Sequence, residues 1–131
     1  MLILAITVML LTLLFLYLSK RVIMCRRQHQ IPYAQAVESK AFQAAISAHR
    51  NFVDYTPYCI IILFLCLIRT INTMWFVFLC LNLLLGRYAH AYGLLMMEQR
   101  EKPSFKGRTW GMILTFNSIL LGSMTLLYKS F

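Results

Sequence analysis

His49, Arg50, Asn51 and Asp54 fall within one six-residue stretch that leads into an apolar run from Tyr58 to Ile68. Arg87 and His90 intrude in the same way on the next apolar segment. Charged side chains inside a membrane-spanning helix cost roughly 3 kcal/mol each unless they are paired or face a wet cavity, so they mark a candidate site. Guanidinium groups in a low-dielectric wall hold carboxylates well, because their fork matches the carboxylate and they stay charged. Arg50, Arg87 and Arg108 supply such groups, Asn51 an amide, and Asp54 an acceptor for an ammonium group. That inventory suits a small ligand with two carboxylates and one amine. Cationic neighbours also stabilise a thiolate. The apolar remainder of the wall would admit a lipophilic second substrate from the bilayer.

The elements that must position these residues follow from composition. Of 131 residues 60% are hydrophobic, and the mean hydropathy is +0.68. Soluble domains lie nearer 45–50% apolar as a rough average, so the chain reads as an all-α integral membrane protein. Its length accommodates about four spans of ~20 residues and leaves no room for a soluble domain. The expected spans are 2–27, 38–69, 73–97 and 108–128. Gln28–Ala34, with Pro32, forms a polar break, and Glu98–Gly107, with Pro103, forms a second loop. Met1–Tyr17 is read as a retained first span, since basic residues follow the apolar run and no small-residue cleavage site is present. A four-helix bundle this small has little interior for charge, which favours oligomerisation.

The net charge of +9 is unevenly placed. Lys20, Arg21, Arg26, Arg27 and Lys40 surround the first connection; Arg100, Lys102, Lys106 and Arg108 surround the third. The second connection carries only Arg69 and the C-terminus only Lys129. By the positive-inside rule both termini lie outside the cytoplasm. The charge is thus a topology signal and a contact for anionic membrane lipid rather than a nucleic-acid surface. Cys25, Cys59, Cys66 and Cys80 form no CxxC pair, so neither a disulfide framework nor a metal site is expected.

Hairpin arithmetic joins the two polar clusters. Asp54 lies 17 positions before a turn centred near Ile71, and Arg87 lies 16 after it. At 1.5 Å per residue both sit ~25 Å from that turn. Ser47, Asn51 and Asp54 share a helical stripe, with Arg50 to one side and in reach of Asp54 at i,i+4. Pro57 removes an amide donor and should kink or loosen the helix above the cluster. Simpler readings exist: Arg50–Asp54 as an intrahelical pair, His90 as a hydrogen-bonded interior residue, and the aromatic and Met side chains as packing and interface anchors.

Ala48–Pro57, AHRNFVDYTP, resembles the helix-two signature of the MAPEG family, membrane-associated proteins in eicosanoid and glutathione metabolism. Gly86–His90, GRYAH, resembles the helix-three motif, and Arg108 resembles the arginine that opens helix four. The likeness covers essentially the whole chain and is nearest to small bacterial members, which implies a bacterial inner membrane. It implies a homotrimer of four-helix subunits with glutathione bound between neighbours near the cytoplasmic face. Arg50, Asn51, Asp54, Arg87 and His90 would bind glutathione, and Arg108 would stabilise its thiolate. The chain departs from the family pattern at Ser47, where many members carry arginine, at Asp54, where glutamate is common, and near Leu94, where some enzymes use a tyrosine. The expected activity is a glutathione-dependent transferase or peroxidase acting on a lipophilic electrophile, with glutathione as co-substrate and no metal. The alternatives are a non-catalytic scaffold or regulatory subunit, and a small organic-anion transporter; the latter is disfavoured because no inverted repeat is visible.

Overall fold

A computed structural model describes residues 1–30 and 39–131. The described residues form helices α1 (Leu2–Gln28), α2 (Lys40–Ile68), α3 (Thr73–Tyr92) and α4 (Lys106–Tyr128), and no strand. A π-helical segment, Gly93–Met97, continues α3. By length and composition all four can cross a membrane, counting α3 and its extension as one span. Residues 31–34 of the expected polar break, including Pro32, and the expected start of the second span at 38 lie outside the described residues.

Side chains close the helix ends where the sequence offers oxygen acceptors. Ser39 accepts from the Phe42 amide at 3.4 Å and so starts α2. Asn72 accepts from Met74 and Trp75 at 2.9 and 3.2 Å and starts α3. Such caps satisfy amides that a helix start leaves without partners. The α2–α3 turn is tight enough to hold Thr70 at φ 47°, a strained value for a β-branched residue. Pro57 does not interrupt α2, which runs unbroken to Ile68. Proline withholds one hydrogen bond, and twenty-eight other residues with an apolar packing face sustain the helix around it.

The α2–α3 hairpin lies between the outer helices. α1 packs on α2 and α3, and α4 packs on α3 and α2, while α1 and α4 do not meet among the described residues. Leu4, Thr7, Leu11, Leu14 and Leu18 recur at helical spacing and form the buried stripe of α1. The four leucines join Cys59, Leu63, Cys66, Leu79 and Leu83 in one core. Asp54 precedes the end of α2 by fourteen residues, and Arg87 follows the start of α3 by fourteen. Each therefore sits ~21 Å from the hairpin turn. The two polar levels coincide, towards the end of the bundle that carries the basic residues.

Candidate functional site

Arg87 is the centre of this level, at 2% exposure. Its Nη1 donates to the Asn51 side-chain oxygen at 2.7 Å and to the Asn51 carbonyl at 3.3 Å. Nε and Nη2 donate to the Thr115 hydroxyl at 3.0 and 2.7 Å, and Nη2 also reaches the Met112 sulfur at 3.5 Å. Thr115 can accept both because its own proton goes to the Gly111 carbonyl at 2.8 Å. The guanidinium carbon lies 5.9 Å from the centre of the Tyr55 ring, a cation–π distance. One arginine thus ties α2, α3 and α4 together through neutral acceptors. All three of its nitrogens are engaged within the chain.

Small residues on α4 make that closeness possible. A Cβ placed on Gly111 would lie 2.5 Å from the His90 amide nitrogen and 2.7 Å from the Gly86 carbonyl. One on Gly93 would lie 2.4 Å from the Arg108 amide nitrogen. Gly107, Gly111 and Thr115 recur every four residues, and Ser118 and Gly122 extend the same buried seam. This is the small-xxx-small pattern by which helices approach closely in lipid, where apolar burial alone gives no drive to associate. Ser118 strengthens it by donating to the Leu79 carbonyl at 3.1 Å.

The other predicted residues lie differently. Arg50 and Asp54 form their i,i+4 pair at 3.9 Å, with side chains 82% and 57% exposed. Arg108 makes a similarly long contact of 3.9 Å with Glu98, its own side chain being 53% exposed. The second Glu98 oxygen is buried without a hydrogen-bond partner among the described residues. His90 is buried behind Gly111, and its side chain forms no hydrogen bond or ion pair among the described residues. His49 faces α1, where its Nε2 meets the Ser19 hydroxyl at 3.1 Å and its ring lies 5.5 Å from that of Phe15.

Within one subunit the structure brings together Asn51 and Arg87, and leaves Arg50, Asp54 and Arg108 on the outer surface. The expected stripe of Ser47, Asn51 and Asp54 divides, since Asn51 turns towards α4 while Ser47 and Asp54 are exposed. Sequence reasoning missed Thr115, Met112 and Tyr55 as partners of Arg87, and Glu98 as partner of Arg108. Polar type alone gives no signal for a methionine or threonine 25 or 28 residues away. The glycine spacing on α4 did carry a signal that points to the seam.

A chain-long match agrees with the four spans: residues 4–128 match the MAPEG family. The chain belongs to the MAPEG family. It is 32% identical over 99 residues to the inner membrane protein YecN of Escherichia coli K12, covering 75% of this chain and 74% of that protein. The YecN of Escherichia coli O6:H1 strain CFT073 matches to the same extent. This MAPEG chain is accordingly an integral, multi-pass membrane protein. Ser47 is exposed on α2, whereas Leu94 is buried in the π-helical segment. Tyr92 faces away from that position, and its hydroxyl accepts from Arg100 Nη2 at 3.4 Å.

Proposed function

We propose that this MAPEG protein is a glutathione-dependent transferase or peroxidase, acting as a homotrimer on a lipophilic electrophile in a bacterial inner membrane. The observation that carries the reading is the placement of Arg50 and Asp54. They stand exposed on a spanning helix, beside an Asn51 already held by Arg87. Charge on the outer face of a bundle within the bilayer calls for a covering partner or a polar ligand. A neighbouring copy with glutathione at the junction supplies both.

Each residue then has a role. Arg50 holds a glutathione carboxylate and Asp54 its ammonium group. Arg87 acts through Asn51, fixing the amide that meets the peptide backbone, because its own donors are engaged within the subunit. His90 supports the same level from the α3–α4 seam. Arg108, loosely held by Glu98, is available to the sulfur. It stabilises the thiolate after the thiol proton leaves to solvent. The thiolate then attacks an electrophilic carbon; the new S–C bond forms as the leaving group departs with its electron pair. The basic end, by its charge, faces the cytoplasm where glutathione is plentiful.

The test is a glutathione titration of purified protein, followed by thermal stability and by thiolate absorbance, with an aryl halide as generic acceptor. Wild type should be stabilised, show thiolate absorbance and release halide, and Arg50→Ala and Arg108→Ala should lose the stabilisation. No thiolate signal together with no conjugation would sink the proposal. A second reading, a non-catalytic scaffold, draws on the complete engagement of Arg87 inside the chain and on the departure at Ser47. It prevails if Arg108→Ala changes no activity while Arg50→Ala dissociates the assembly.

A further inference from the structure

A second polar–apolar boundary lies on a different face of α3 from the Asn51–Arg87 network. Leu13, Leu14 and Tyr17 of α1 and Tyr88, Tyr92 and Leu95 of α3 and its extension border an open groove of about 250 Å³. Its walls are almost wholly apolar, and it looks outward from the bundle. Two tyrosines bracket it. Tyr88 donates to the Leu10 carbonyl at 2.9 Å at the end nearer the hairpin turn. Tyr92 accepts from Arg100 towards the basic end.

The α1 wall continues the same way. Arg21 lies four residues after Tyr17 and seven after Leu14, on the same helical stripe and ~6 Å beyond the groove. It is half-buried, and its Nε is buried with no hydrogen-bond partner among the described residues. Lys20 stands beside it. The groove therefore ends between cationic groups supplied by α1 and by the connection between the π-helical segment and α4. The apolar length from Tyr88 to Met96 is ~12 Å, enough for a substantial part of one acyl chain.

We infer that this groove binds an anionic phospholipid, one acyl chain lying against Leu13, Tyr88 and Leu95 and the headgroup phosphate meeting Arg21 and Arg100. Charge complementarity decides the occupant. Basic pockets between helices at a membrane interface hold anionic headgroups, and tyrosines with one apolar and one polar end sit naturally at that level. Arg21 Nε gains the acceptor it otherwise lacks. A second copy of this chain would instead have to bring an acid to Arg21 and Arg100. The chain has only four acidic residues, and Asp54 and Glu98 already contact arginines. The site stands apart from the glutathione reading and survives its failure.

The test is thermal unfolding of the full chain in neutral detergent, with phosphatidylglycerol or phosphatidylcholine of identical acyl chains. Phosphatidylglycerol should raise the midpoint by several degrees more than phosphatidylcholine. The double variant Arg21→Gln, Arg100→Gln should lose that difference while keeping the wild-type midpoint in phosphatidylcholine. Leu13→Trp, a change at an exposed position that fills the groove, should lose it as well. Equal stabilisation by the two lipids overturns the proposal, as does a full difference surviving in the double variant. Inorganic phosphate reproducing the shift would show an anion site without a lipid, and would overturn it too.

Discussion

Arg87 and Arg50 sit at neighbouring depths of one bundle and are used in opposite ways. Arg87 is enclosed, with short bonds of 2.7 Å to Asn51 and Thr115, and no carboxylate is among its partners. Arg50 is exposed and meets its carboxylate at 3.9 Å. An exposed pair of that length contributes little to stability, typically 0.2–1 kcal/mol by order of magnitude. A buried guanidinium stripped of its acceptors costs much more. The seam between α3 and α4 is therefore where the fold is held, and the outer face of α2 is where charge is left available.

The largest break in this contrast should come from the seam. Gly111→Ala drives its Cβ into the backbone of His90, which cannot yield, and should destabilise the protein by about 3 kcal/mol in reversible detergent unfolding. Gly122→Ala is the matched control. Its Cβ meets only the Ile62 side chain, so the loss should stay near 1 kcal/mol or below.

Next is the network itself. Thr115→Val keeps the shape but removes the acceptor of two Arg87 nitrogens and should cost about 2 kcal/mol. Arg50→Gln should change stability by less than about 1 kcal/mol in the same assay. It should nevertheless abolish any stabilisation by glutathione. If Arg50→Gln proves as destabilising as Thr115→Val, the division into holding and available arginines is wrong. The smallest effect expected is that of Asp54→Asn, which should leave unfolding almost unchanged and weaken glutathione binding without eliminating it.

Four spans were legible as apolar runs, and the common level of Asp54 and Arg87 was legible as a nearly equal count of residues from the hairpin turn. Rotation about the helix axis was not. Adjacent residues on a helix differ by about 100°, so Arg50 and Asn51 can face solvent and core although they are neighbours in sequence. The π-helical turn at Gly93–Met97 was hidden as well, since hydropathy does not register one extra residue per turn. That turn brings Gly93 against the start of α4 and places Glu98 near Arg108.

By itself the sequence determined that this chain crosses a membrane four times, which end is basic, and that polar groups of α2 and α3 share a depth. Those properties are sums along the chain: apolar length, charge counts and residues per ångström of helix rise. Tertiary structure alone decided which arginine is enclosed and which is exposed. That choice depends on which side chain meets Thr115 when two helices close over glycine, a relation between positions 28 residues apart that no local pattern contains.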